Sequence, residues 1–97
     1  MARTKFEAKF PDGTILTRSS HRNYTHAWLV LYTVNVDVLA KERGDHVRDL
    51  YKDNDGKPFK EHGFSGSETL AHKALSAAQS PGWRQVIGAG VQPVTKF

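Results

Sequence analysis

The chain has 97 residues, of which 38% are hydrophobic and 25% are charged, and its formal net charge is +4. This length supports one small core but not a deep catalytic cleft with a separate supporting domain. Cysteine is absent, which excludes disulfide frameworks, thiolate zinc sites, iron–sulfur clusters and cysteine nucleophiles. We therefore expect a single domain over residues 1–97.

The first predicted element is a β-hairpin. Residues 4–10 alternate between apolar and charged side chains, with Phe6, Ala8 and Phe10 on one face. This is the pattern of a half-buried strand. Pro11-Asp12-Gly13 favours a tight reversal, and residues 14–18 form the returning strand.

A long strand is predicted next, over residues 24–38. β-branched and aromatic residues stand at every second position, namely Val30, Tyr32, Val34, Val36 and Val38. A helical turn over residues 25–28 is an alternative. The charge-dense residues 39–62 are expected to form an exposed variable insert within the domain, with a turn at Asp53-Asn54-Asp55-Gly56.

The main helix is predicted at about 67–79. Ser65 and Glu68 have the spacing of a capping box, and Ser80-Pro81-Gly82 ends the helix. An apolar stripe lies between them, at Leu70, Ala71, Ala74, Leu75 and Ala78.

Residues 83–94 predict a kinked or bulged closing strand, because Gly88 and Gly90 interrupt its apolar positions. Pro93 places the end of this strand at a sheet edge. Together these elements predict an α+β fold, in which an antiparallel sheet of three to five strands carries the 67–79 helix on one face.

Patterns that would indicate catalysis do not occur. The five histidines have no recognised metal-ligand spacing, and Gly63-Phe64-Ser65-Gly66-Ser67 lacks the final glycine of a nucleophile elbow. We expect no enzymatic activity, no metal and no cofactor. Backbone N–H groups at a helix N-terminus can still receive an anion, which would involve Gly63, Ser65, Gly66 and Ser67. The alternative is that these residues only cap the helix.

Residues 18–28 are the most distinctive stretch. They combine cations, hydrogen-bonding groups and aromatic rings, a mixture typical of protein hot spots and of base-stacking surfaces. The candidate partner-binding residues are Arg18, His21, Arg22, Tyr24, His26 and Trp28. The alternative is that Tyr24 and Trp28 enter the core.

Charge and hydropathy suggest a location and a type of partner. Residues 1–36 hold five basic and two acidic residues, which favours an anionic partner. The basic start is not followed by an apolar run, and the longest nonpolar stretch, 27–38, is shorter than the ~20 residues of a membrane span. We expect a cytoplasmic protein with no membrane association.

Three blocks of the sequence resemble one family. Thr-Arg-Ser-Ser-His-Arg-Asn-Tyr-Thr-His-Ala (17–27), Gly-Phe-Ser-Gly-Ser-Glu-Thr-Leu-Ala-His-Lys-Ala (63–74) and Val-Gln-Pro-Val (91–94) are similar to small uncharacterised proteins encoded by phages of actinobacteria. The blocks cover about half of the chain, and residues 37–61 depart from the resemblance. It implies a phage product in the cytoplasm of an infected bacterium and transfers no catalytic residue.

These observations lead to two expectations about function. The first is a non-enzymatic binding protein that engages and modulates a host protein. The second is a nucleic-acid-binding protein that uses the basic N-terminal hairpin and residues 18–28. The closing strand also suggests a homodimer formed through a strand edge.

Overall fold

The computed structural model describes residues 3–52 and 57–97. In chain order its elements are β1 (Thr4–Lys9), β2 (Ile15–Ser20), β3 (His26–Val34), α1 (Val36–Arg43), α2 (His46–Tyr51), β4 (Phe59–Ser65), α3 (Glu68–Gln79), β5 (Arg84–Pro93) and β6 (Thr95–Lys96). The strands form two antiparallel three-stranded sheets, sheet A in the order β2-β1-β6 and sheet B in the order β4-β3-β5. The predicted α+β class is confirmed.

The predicted first hairpin is present. β1 and β2 pair from Thr4 opposite Ser20 to Lys9 opposite Ile15. Gly13 adopts a positive φ of 93°, which permits the reversal. The Phe10 N–H closes the turn by donating to the Thr14 carbonyl at 2.9 Å.

The main core lies between the two sheets. Successive side chains of a strand point to opposite faces, so every second residue of β3 is directed toward sheet A. The buried residues of this cluster are Ala8, Phe10 and Leu16 from sheet A with Ala27 and Leu29 from β3. The opposite face of β3 presents Val30, which is fully buried, to α3.

Helix α3 packs across all three strands of sheet B, as predicted for the main helix. The alanines of its stripe allow close approach, and Ala71 and Ala78 are buried. The predicted cap at Ser65 is wrong, because Ser65 is the last residue of β4. The Ser67 side chain caps the helix instead and accepts from the Leu70 N–H at 3.2 Å.

The predicted strand over residues 24–38 ends four residues early, at Val34. Asn35 caps α1, and its Oδ1 accepts from the Val38 N–H at 3.3 Å. The cap satisfies a free N–H of the first turn, and the helix then buries Leu39 and Ala40. These two residues form a second core with Val47, against which Val34, Tyr51 and Trp83 pack.

Residues 39–62 are therefore only in part an exposed insert. Most of the described side chains there are exposed, but Leu39, Ala40 and Val47 are buried. The stretch also contains the first residues of β4, a strand that the sequence patterns did not indicate and that pairs with β3. The turn predicted at residues 53–56 lies outside the described residues. The variability of the stretch stays a prediction.

The bulge predicted in the closing strand is present. The register between β3 and β5 shifts at one point, with Gly88 opposite Leu31 and Val86 opposite Tyr32. Ile87 is the extra residue of this bulge. β5 is an edge strand, and Pro93 lies at its end, as expected.

Candidate binding surface

Tyr24 belongs to the core and is not a surface residue. Only 6% of it is exposed. Its ring meets Phe6 edge-on at a centroid distance of 5.3 Å and lies 5.7 Å from the Phe64 ring. In this structure Tyr24 is therefore not available to a partner, and the alternative that placed it in the core describes its position.

Arg18 lies above the buried Tyr24. Its guanidinium carbon is 5.2 Å from the centroid of the Tyr24 ring, although Arg18 is itself exposed. A cation over an aromatic face is held by the ring quadrupole. The core thus orients one of the cations predicted to bind a partner.

The loop between β2 and β3 places His21, Arg22 and Asn23 at the surface. Its path is restrained at one end, where the Arg22 N–H donates to Ser20 Oγ at 3.0 Å. At the other end the Thr25 N–H donates to the Ser65 carbonyl at 3.0 Å. The arginine is thus presented by an anchored loop.

The tertiary structure joins the two stretches that the sequence suggested separately. His26 lies opposite Ser65 in the β3–β4 register. A Cβ at Gly66 would lie 3.5 Å from the Asn23 carbonyl oxygen, so the loop also passes close to the start of α3. The residues around 18–28 and 63–67 consequently form one continuous region.

Two histidines flank Glu68 at the first turn of α3. His26 Nε2 lies 3.8 Å from one carboxylate oxygen of Glu68, and His72 Nε2 lies 3.7 Å from the other. His26 Nδ1 also lies 2.8 Å from the Thr25 hydroxyl. Within residues 3–52 and 57–97, no group of histidine, aspartate or glutamate side chains has a geometry that could hold a metal ion.

Two residues of the predicted anion site, Gly63 and Ser67, have structural roles in the fold. Ser67 is the cap, and Glu68 already places a carboxylate in the first turn. Gly63 accommodates Trp28, because a Cβ at position 63 would lie 2.7 Å from the indole nitrogen. Anion binding by Gly63, Ser65, Gly66 and Ser67 stays a prediction.

The whole net charge of the protein belongs to sheet A and its connections. We define the basic sheet region as residues 3–22 and 95–97. It contains two acidic residues, Glu7 and Asp12, and six basic residues, all exposed: Arg3, Lys5, Lys9, Arg18, Arg22 and Lys96. Residues 23–94 contain eight basic and eight acidic residues, so their formal charge is zero.

Both faces of sheet A carry cations. Lys5 and Lys9 alternate with the buried Phe6 and Ala8, so they lie on the outer face. Glu7 lies between them, and its carboxylate is 3.7 Å from the Lys9 amine. Arg18 is opposite Phe6 in the register and therefore lies on the face toward the core. The cations of sheet A therefore lie on both of its faces.

Arg84 belongs to none of the sequence patterns that indicated a site. Its side chain is 14% exposed, and its guanidinium carbon lies 4.5 Å from the centroid of the Tyr32 ring and 4.9 Å from that of Trp83. It forms an ion pair with Glu61 and donates to the Ala78 carbonyl at 2.6 Å. Trp83 is its neighbour in the chain, whereas Tyr32, Glu61 and Ala78 come from β3, β4 and α3 and are brought to Arg84 by the fold.

A groove of about 250 Å³ lies between the turn of the first hairpin and sheet B. Its lining is mostly apolar and includes Phe10, Leu29 and Leu31. Asp12 also lines the groove and is its acidic residue. Its two oxygens accept from the Thr14 N–H and hydroxyl, each at 2.9 Å, which lowers the pKa of Asp12.

No family model, curated protein or solved structure matches the chain. No helix in the described part of the chain is long and apolar enough to cross a membrane. The fold and the charge distribution define an α+β protein with one basic sheet and an electrically balanced remainder.

Proposed function

We propose that this chain is a non-enzymatic binding protein whose basic sheet region engages an acidic surface of another protein. The observation that carries the proposal is the distribution of charge. The six exposed basic and two acidic residues of this region together give the entire formal charge of +4, while the charges of residues 23–94 balance. Such an asymmetry orients a protein toward an anionic partner during encounter and favours one docking surface over others.

Arg18 and Arg22 are the residues of this region best suited to anchor a partner. Arginine presents a planar fork of donors to carboxylates and is enriched at interface hot spots. Arg18 is oriented by the Tyr24 ring, and the loop carrying Arg22 is anchored at Ser20 and Ser65. Ordering before binding reduces the entropy that association costs.

The groove beside the hairpin supports a non-enzymatic role. Of its lining residues, Asp12 and Gln92 bear polar side-chain groups that could act on a substrate, and both Asp12 oxygens are already bound by Thr14. General acid–base chemistry requires a positioned group that is free to exchange a proton with substrate. The basic sheet region is the stronger candidate surface.

A nucleic-acid partner is the second candidate, because the same charge distribution would attract phosphate. The position of the aromatic rings weighs against it. Tyr24 is buried and Trp28 packs over Gly63, so Phe97, which is 69% exposed, is the one exposed aromatic residue in the described part of the chain. An acidic protein surface requires no such ring.

We further propose that the partner is a host protein of an actinobacterium and that the complex forms in the bacterial cytoplasm. This rests on the resemblance of residues 17–27, 63–74 and 91–94 to small phage proteins. The lysate used to search for the partner is accordingly an actinobacterial one.

The test compares two double variants with the same change in charge. Lys5→Glu with Arg22→Glu alters the basic sheet region, whereas Lys41→Glu with Lys73→Glu alters exposed residues elsewhere. We expect the immobilised wild type and the second variant to retain one acidic protein from nuclease-treated lysate, and the first variant to lose it. Equal retention by both variants would contradict the proposed surface.

Nuclease treatment separates the two candidate functions. Loss of all captured material on treatment, together with direct binding of purified DNA or RNA that weakens steeply between ~50 and ~200 mM salt, would support the nucleic-acid candidate. Capture that survives nuclease, with no binding to purified nucleic acid at low salt, supports the protein partner.

A further inference from the structure

Beyond Arg84 at its start, which is largely buried and bonded to Glu61 and the Ala78 carbonyl, the free edge of β5 differs from the other sheet edges in having no charge. Residues 85–94 form ten consecutive uncharged positions in a chain that is 25% charged. The other described edge strands each carry charge, with Lys60 in β4, Arg18 in β2 and Lys96 in β6. Charged side chains on edge strands oppose pairing with another chain, and residues 85–93 of β5 lack this protection.

The hydrogen-bond pattern shows which backbone groups of β5 face outward. The Val94 N–H donates to the Thr25 carbonyl at 2.9 Å, and the register with β3 runs from there to the bulge without a shift. Bonded and non-bonded pairs alternate in an antiparallel ladder, so every second residue before Val94 bonds to β3. Ala89, Val91 and Pro93 therefore direct their backbone groups away from β3.

Two features limit the length of edge that can pair. The bulge at Ile87 interrupts the regular strand on one side. On the other side, Pro93 has no N–H to donate. The segment between them, residues 88–92, has Gly90 at its centre and the outward-facing Ala89 and Val91 on either side.

We propose that a second copy of this chain pairs with this segment, β5 against β5, around a two-fold axis at Gly90. Ala89 of each copy then lies opposite Val91 of the other. Each of these two pairs exchanges two backbone hydrogen bonds, which uses every outward donor between the bulge and Pro93. The result is one continuous six-stranded antiparallel sheet.

The side chains of the segment are compatible with this pairing. Gly90 meets itself at the axis without a side chain, and the small Ala89 faces the branched Val91. The net charge of both copies lies in their basic sheet regions, so no like charges meet within the paired segments.

Charge substitution at Gly90 tests the pairing. Gly90 has no positive φ, and a Cβ there meets nothing within 4 Å, so the monomer accommodates a side chain. We expect the wild type to sediment as a dimer and Gly90→Lys and Gly90→Glu each to sediment as monomers. An equimolar mixture of the two variants should recover the dimer, because opposite charges then meet at the axis.

Ile15→Lys is the control, since it adds the same charge on the exposed edge strand β2 and should leave the dimer intact. A wild type that is monomeric at the highest concentration reached would overturn the proposal. So would a Gly90→Lys protein that remains dimeric, or a mixture of the two variants that stays monomeric.

Amide exchange gives a second readout that needs no variant. In the pairing proposed here, the Ala89 and Val91 amides of the wild type are protected in the dimer and exchange faster on dilution. Rapid exchange of both amides at high concentration would contradict the pairing. The double variant at Lys5 and Arg22 should still dimerise, so this proposal and the proposed function can fail separately.

Discussion

The indole of Trp28 occupies the space that a side chain at Gly63 would need. The two residues are opposite each other in the β3–β4 register, and a Cβ at position 63 would lie 2.7 Å from Trp28 Nε1. Gly63 has no positive φ, so packing rather than backbone conformation explains the glycine. Gly63, one of the residues of the predicted anion site, thus has a packing role, because the absence of its side chain leaves room for Trp28.

Gly63→Ala should therefore destabilise the protein. Accommodating the methyl group requires the indole to move, and overpacking of this kind typically costs about 1–3 kcal/mol in the free energy of unfolding. Gly82→Ala is the matched control, because a Cβ at Gly82 meets nothing within 4 Å. Urea denaturation of both variants measures the effect, and equal stability of the two would contradict the packing argument.

Replacing Arg84 should destabilise the protein more than replacing an exposed arginine. Arg84→Met removes the ion pair with Glu61 and the bond to the Ala78 carbonyl, and we expect a loss of about 2 kcal/mol in the free energy of unfolding. Arg48→Met is the control. Arg48 is exposed and binds Asp37 at 2.7 Å, an arrangement expected to contribute little. Comparable denaturation midpoints for the two variants would show that the contacts of Arg84 contribute no more to stability than those of Arg48.

The cap of α1 should contribute measurably to stability. Asn35→Ala removes the acceptor for the Val38 N–H at the point where the chain changes from strand to helix, and loss of such a cap costs about 1 kcal/mol. Asn23→Ala, at an exposed loop position, is the control. Thermal unfolding followed by circular dichroism distinguishes them, and an unchanged midpoint for Asn35→Ala would remove the role assigned to the cap.

Acid should abolish the contribution of Asp12 to the first hairpin. Hydrogen bonds from the Thr14 backbone and hydroxyl lower the pKa of Asp12 below its ordinary value of 3.8. Because the folded pKa lies below the unfolded one, the stabilisation is present above pH 3.8 and is lost as the pH falls through the folded pKa.

The measurement for Asp12 is urea denaturation of the wild type and Asp12→Asn over a series of acidic pH values. The wild type should be the more stable protein near neutral pH, and the difference between the two should shrink as the pH drops below 3.8. A difference that stays constant over the acidic range would show that the Asp12 carboxylate does not stabilise the hairpin.

Local sequence patterns alone determined several parts of this protein. The alternation over residues 4–10 with the following Pro-Asp-Gly defined the first hairpin, and the alanine-rich stripe before Ser80 defined α3. The glycines and Pro93 indicated a bulged edge strand. In each case the decisive interactions join residues close in sequence or follow directly from side-chain periodicity.

The tertiary structure decided the rest. Val36 and Val38 continue the alternation of β3, yet the Asn35 cap and the second core place them in a helix. Tyr24 follows the exposed polar residues 21–23 in the chain, but it is buried because its ring packs against Phe6 and Phe64. Burial depends on neighbours that are distant along the chain, so a local pattern can state what a segment favours but not which surfaces the fold will cover.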